Sequence, residues 1–249
     1  MQLKSPHKAI GVIKGIYSDF QAFLAPVSCL CCGADAELEN GLLCAICIEA
    51  LKTKNTGVTV ACPFCGNLID GDDCLSCRPP ANLRLAYWGF YEDALKDCIT
   101  QFKFHNSRRL GAFLIELAFH SLGPTLLTGK YDVIVPVPLH RKRKNERYYN
   151  QSELLARHLA DLCLVEHSPA YLSRSKPTHQ QAKLHESQRW SNVRDAFNVP
   201  DGRAKEICGK RILLVDDIVT TGATIYEASK PLLAAGAVCV DIFSLAYAK

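Results

Sequence analysis

An α/β fold built on a parallel sheet, with a small cysteine-ligated module ahead of it, is what the sequence predicts, and three observations predict it. Eight of the 13 cysteines stand between Cys29 and Cys77 as four C-x-x-C pairs. After residue 81, apolar runs of strand length alternate with stretches of helical periodicity, the pattern of strands covered by helices on both faces. Near the end of the 249-residue chain, "ILLVDDIVTTGAT" (212–224) carries an apolar strand into two acids and a glycine-containing polar turn.

In chain order, residues 1–28 hold an expected N-terminal helix, over 9–24. Ile13, Ile16, Tyr17, Phe20 and Leu24 recur at helical spacing, an amphipathic stretch suited to packing on its own domain or, alternatively, to membrane or partner contact. Its apolar run is broken by Lys14 and Asp19, short of a signal peptide. No uncharged stretch approaches the ~20 residues needed to cross a bilayer. A soluble, cytoplasmic protein is therefore expected, and in that reducing compartment clustered cysteines bind metal more often than they form disulfides.

Residues 29–80 form the cysteine module. Cys29 and Cys32 precede Cys44 and Cys47, and Cys62 and Cys65 precede Cys74 and Cys77. A C-x-x-C knuckle aims two thiolates at one ion, and two knuckles complete a closed tetrahedral shell, so two structural Zn²⁺ ions in series are expected, with no open position for catalysis. A cross-braced pair, a redox dithiol and an iron–sulfur site are the alternatives. Gly33 and Gly66 stand where the knuckle needs a permissive backbone. The first 80 residues carry a charge balance of −2 and the remainder +6. Eight thiolates around two divalent ions leave the module more negative still, a poor nonspecific phosphate binder. Cys31, Cys98, Cys163, Cys208 and Cys239 lack such pairing and are expected to be small buried hydrophobes.

"RPPAN" (78–82) reads as a turn or linker, and 81–249 as the α/β domain. Strands are expected at 131–139, 211–217 and 238–248, and helices at 150–162 and 223–235. Ligands of such sheets bind at the carboxyl ends of the strands. There Asp216 and Asp217 meet "TTGAT", whose N–H groups and hydroxyls open a helix and make an anion site. Acids beside a phosphate cradle repel the ligand unless they serve sugar hydroxyls or Mg²⁺, so the combination suits a sugar phosphate. A P-loop is excluded, because "GPTLLTGKY" (123–131) has the wrong glycine spacing and Tyr131 where Ser or Thr belongs. A receiver domain starting at this acid pair would need a longer remainder of chain. The plain alternative is acids that cap a helix.

The motif resembles the phosphoribosyl-pyrophosphate (PRPP) loop of type I phosphoribosyltransferases. The resemblance implies that Asp216 and Asp217 hold ribose hydroxyls, that Thr220, Thr221, Gly222, Ala223 and Thr224 wrap the 5-phosphate, and that Mg²⁺ accompanies PRPP. Arg141, Lys142, Arg143, Lys144 and Arg147 follow a strand, where they could grip pyrophosphate or a nucleic-acid backbone. Gln181, Leu184, Arg189, Asn192, Val193, Ala196 and Phe197 complete a further pattern. With the C-x-x-C pairs and "YEDALKDCITQFKF" (91–104), the chain resembles the ComF family of competence proteins over nearly its whole length. That resemblance implies a cytoplasmic role in natural transformation, with PRPP or a related ribose phosphate, single-stranded DNA and DNA-uptake proteins as partners. The family usually carries R-G-F-N-Q where this chain has "RYYNQ" (147–151). Tyr148 replaces a glycine suited to positive φ, which argues against transferase chemistry, and Tyr148 and Tyr149 beside five cations could stack bases. Two functions are thus in view, single-stranded DNA handling and, as the alternative, an active phosphoribosyltransferase using PRPP and Mg²⁺ on a nitrogenous base. No side chain identifies itself as the catalytic base.

Overall fold

The computed structural model describes residues 28–54, 59–68, 74, 77, 83–104, 107–122, 131–139, 149–176 and 186–248. The expected helix over 9–24, the "RPPAN" segment, Gln181, Leu184 and the cationic residues 141–147 lie outside these. The chain divides into two compact units, Met1–Glu49 and Ala50–Lys249.

The smaller unit holds the first cysteine pairs. Strand β1 (Leu38–Glu39) turns through Asn40 and Gly41, at φ 56 and 65, into antiparallel β2 (Leu43–Cys44). Asn-Gly suits such a turn because both residues accept positive φ. Helix α1 (Ala45–Lys54) follows, its first five residues in this unit and the rest in the larger one.

The larger unit is organised by a sheet of six strands. They are β3 (Thr59–Ala61), β4 (Leu85–Phe90), β5 (Val133–Pro136), β6 (Glu166–His167), β9 (Arg211–Val219) and β10 (Cys239–Tyr247). Their spatial order is β3-β4-β10-β9-β5-β6, parallel throughout except for the antiparallel β3–β4 edge. A separate ribbon pairs β7 (Ser173–Arg174) with β8 (Phe197–Asn198). The helices are α2 (Asp93–Phe104), α3 (Arg108–Leu122), α4 (Gln151–Cys163), α5 (Glu186–Val193), α6 (Ala204–Ile207) and α7 (Ala223–Ala234).

Composition explains why these segments take these forms. Ile212, Leu213, Leu214 and Val215 are all buried, so β9 is apolar without alternation, as a strand covered on both faces must be. Helix α4 buries Leu155, Ala156, Leu159, Ala160 and Cys163, a stripe at helical spacing, and ends at Leu164 in the left-handed conformation. Val133, Val135, Ile212, Leu214, Ile225, Leu232 and Ile242 share one core, whose burial is the main favourable term in folding. The five elements expected from apolar pattern are present, four at nearly the expected bounds, while β5 takes only Val133–Pro136 of the expected 131–139.

Of the five cysteines outside the four C-x-x-C pairs, Cys98 and Cys163 are buried, while Cys31 and Cys239 are half-buried. Cys208 corrects the expectation, because it sits exposed in the turn that ends α6. Among the described residues no helix is long and apolar enough to cross a membrane.

Candidate functional site

Two groups of four cysteines converge. Cys29, Cys32, Cys44 and Cys47 form one, and Cys62, Cys65, Cys74 and Cys77 the other, with the sulfurs of each group within 4.8 Å of one another. None is in a disulfide. The Sγ separations are 3.9 Å for Cys32–Cys44, 3.5 Å for Cys62–Cys77, 3.6 Å for Cys65–Cys74 and 3.8 Å for Cys74–Cys77. A tetrahedral ion with metal–sulfur bonds of about 2.3 Å requires sulfurs roughly 3.8 Å apart, so both sets fit a closed four-thiolate site. Burial, then neighbouring thiols, pushes Cys47 and Cys77 far above the ordinary thiol range. A divalent cation at the centre reverses that balance by stabilising the thiolates.

The knuckles share one backbone design. Cys29 N–H donates to Ala34 and Gly33 N–H to the Cys29 carbonyl, and Cys62 N–H donates to Asn67 and Gly66 N–H to the Cys62 carbonyl. Gly33 and Gly66 take φ 73 and 75, as the sequence suggested.

The acid pair sits near the carboxyl end of β9, central in the sheet. Asp216 Oδ1 accepts from Ser152 Oγ at 2.8 Å and from the Asp217 N–H at 2.9 Å. Lys103, in the last turn of α2, places Nζ 3.0 Å from Asp217 Oδ2, and both side chains are largely shielded from water. Burial, followed by the charge of Asp217, pushes the Asp216 carboxyl up to about 7, against the opposing hydrogen bond from Ser152 and the charge of Lys103. A partly protonated Asp216 and an ion-paired Asp217 repel an approaching phosphate less than two bare carboxylates would.

Thr220, Thr221 and Gly222 then turn into α7, whose first residue is Ala223, and Thr220, Thr221 and Thr224 remain half-exposed. Gly222, at φ 75, is needed for a second reason. A Cβ there would lie 2.7 Å from the Pro63 carbonyl oxygen and 3.1 Å from the Phe64 ring. Pro63 and Phe64 belong to the second cysteine knuckle, which therefore rests on the threonine loop. Phe64 stacks on Trp190 at 6.1 Å and meets Tyr226 edge-on at 6.0 Å.

The sequence named the acids and threonines, and the fold brings them together. It did not name Lys103 or Ser152. Lys103 lies within "YEDALKDCITQFKF", and Ser152 follows Asn150 at the start of α4, so both were visible as positions but not as neighbours of the acids. Arg141, Lys142, Arg143, Lys144 and Arg147 fall outside the described residues. Tyr149 is a correction. Its ring is buried at 8% exposure, its hydroxyl donates to the Phe102 carbonyl, and the Arg108 guanidinium lies 5.1 Å over its face. A ring held that way inside the fold offers no face for stacking a base.

An acid pair at the carboxyl edge of a parallel sheet, a T-T-G-A-T turn opening the next helix and two four-cysteine clusters, one in each compact unit and each able to hold a metal ion, define a class: an α/β protein of the phosphoribosyltransferase-like kind with two cysteine clusters ahead of most of its sheet. The chain is 30% identical over 228 residues to the DNA utilization protein YhgH of Escherichia coli K12, covering 88% of this chain and 96% of that one. It is 29% identical over 227 residues to competence protein F of Haemophilus influenzae, with the same coverage. Competence protein ComFC of Bacillus subtilis matches at 33% over 157 residues, 62% of this chain and 60% of that protein. The chain belongs to the ComF family. No family model matches it. Among solved structures, glutamine PRPP amidotransferase from B. subtilis aligns with 55% of this chain and 25% of its own at 20% identity and a TM-score of 0.34, a superposition too loose to argue from.

Proposed function

We propose that this is a competence-associated protein whose phosphoribosyltransferase-like domain binds PRPP with Mg²⁺, and which handles single-stranded DNA in the cytoplasm during natural transformation. The observation that carries the PRPP reading is the convergence of Asp216 and Asp217 with the half-exposed threonines at the start of α7. Asp216 and Asp217 would hold the ribose hydroxyls, while Thr220 to Thr224 would receive the 5-phosphate on hydroxyls and on N–H groups at the helix N-terminus. Mg²⁺ would arrive with the ligand and screen its pyrophosphate. Both cysteine clusters would hold structural Zn²⁺, the ion that prefers four thiolates in tetrahedral array.

The DNA part rests on the names of the relatives, on the cations at 141–147 and on the positive balance beyond residue 80. Burial of Tyr149 removes one support for it and favours, as a second reading, an active transferase in which the cationic segment serves pyrophosphate.

One experiment separates these. PRPP binding with and without Mg²⁺ is measured calorimetrically beside single-stranded oligonucleotide binding at two salt concentrations, for the wild type, Asp217→Ala and a Lys142→Ala/Lys144→Ala variant. Asp217→Ala should weaken PRPP binding more than about tenfold, since it removes a charged acceptor contributing on the order of 1.5–3 kcal/mol. The lysine variant should lose oligonucleotide affinity regardless of sequence and flatten the salt slope by roughly 0.7 per phosphate contact. Loss of PRPP affinity alone in the lysine variant would favour the transferase, and equal PRPP binding by wild type and Asp217→Ala would overturn the site assignment.

A further inference from the structure

Within the larger unit, the turn Pro63–Phe64–Cys65–Gly66 lies against both ends of the threonine loop. On one side Pro63 approaches Gly222 so closely that no Cβ fits between them. Phe64 packs with Trp190 and with Tyr226, whose rings are themselves 5.8 Å apart. Tyr226 belongs to the first turn of α7, and its N–H donates to the Gly222 carbonyl at 2.9 Å. On the other side a Cβ on Gly66 would lie 2.8 Å from the Tyr247 ring. Tyr247 pairs in register with Val219, the residue just before Thr220, and Ala248 N–H donates to the Val219 carbonyl. The loop is thus bracketed by a single four-residue turn, directly at Gly222 and, through Tyr247, beside Val219.

That turn takes its shape from the cluster. Cys62 and Cys65 flank Pro63 and Phe64, and the two hydrogen bonds that close the knuckle start from Cys62 and Gly66. An anion site at a helix N-terminus works only while its N–H groups converge on one point, and small displacements of such groups are costly.

We propose that the second cysteine cluster is a clamp on the phosphate-binding loop, with Pro63 and Phe64 as positioning residues, so that ribose-phosphate affinity depends on the ion held by Cys62, Cys65, Cys74 and Cys77. This rests on the reading of that loop as a PRPP site. The first cluster, whose four cysteines all belong to Met1–Glu49, provides the matched control.

The test uses the full chain, metal-loaded, with metal content by mass spectrometry and PRPP–Mg²⁺ affinity by calorimetry. Cys65→Ser should lose one metal equivalent and at least about tenfold in PRPP affinity, and Cys32→Ser should lose one equivalent and stay within about twofold. Phe64→Ala should retain both ions and lose about three- to tenfold, with Phe64→Tyr restoring most of the loss. Wild-type affinity in folded, metal-depleted Cys65→Ser, or in fully loaded Phe64→Ala, overturns the clamp. If Cys65→Ser does not fold, the fully loaded Phe64→Ala protein decides. If the wild type binds no PRPP, the loop reading fails by itself and the clamp is decided by Trp190 emission in a Trp88→Phe background. A red shift on losing the second ion supports it, and unchanged emission overturns it.

Discussion

The two cysteine knuckles are near copies in backbone and differ in what surrounds them. Each closes the same two hydrogen bonds, and each ends in a glycine at φ close to 75. A side chain at Gly33 would meet nothing within 4 Å, whereas one at Gly66 would collide with Tyr247. The strand leading into the second knuckle, β3, is also an edge of the large sheet, paired with β4. Identical local chemistry therefore serves two mechanical roles. The first cluster belongs to a small unit of its own, and the second frames a turn on which other elements lean.

The largest expected effect comes from removing each ion in turn. Cys62→Ser should lower the melting temperature of the larger unit, by an amount equivalent to several kcal/mol, because structural metal binding of about 10 kcal/mol or more is folding free energy. Cys29→Ser should release one metal equivalent and leave that transition in place. Differential scanning calorimetry checks this, and equal shifts from both variants would break the comparison.

A second prediction tests whether instability in the larger unit also resides at its site. Because the folded Asp216 titrates near 7, pushed up by burial and by Asp217, the native state keeps a proton that the unfolded chain releases above about pH 4. Stability of the ligand-free protein should therefore fall as pH rises from about 4 to 7, by an amount on the order of 4 kcal/mol, and level off above that. Asp216→Asn should flatten the profile and raise stability at pH 8 but not at pH 4, measured by urea unfolding.

The smallest effect compares the glycines themselves. Gly33→Ala and Gly66→Ala both force a left-handed alanine at a cost of about 1 kcal/mol. Gly66→Ala adds overpacking against Tyr247, a further 1–3 kcal/mol or so. A difference near zero in chemical denaturation would mean that Tyr247 yields freely and that the second knuckle is less embedded than its contacts imply.

What could be read in advance follows the range of the signal. Strands β5, β9 and β10 and helices α4 and α7 announce themselves through unbroken apolar runs or helical periodicity, both local properties. The cysteine sets were legible because their spacing is also local. Strand β3 was not, since three residues carry no period and acquire their identity only by pairing with β4. Lys103 was not, because its ion pair joins the end of one helix to a strand far along the chain. Tyr149 misled for the opposite reason. Its cationic neighbours in sequence suggested a surface, while its partners in space, Phe102 and Arg108, come from α2 and α3.

The strand order bears on how the molecule is made. β10 follows every other strand in sequence, yet it lies between β4 and β9 near the middle of the sheet. During synthesis β4 would emerge early and keep one edge unpaired until β10 leaves the ribosome, since among the described residues only β10 pairs with that edge in parallel. Such late, long-range closure is slow, and an exposed apolar strand in the interval invites aggregation. Nascent chains arrested before residue 239 should thus depend on chaperone binding, whereas chains released after residue 248 can complete the sheet without it.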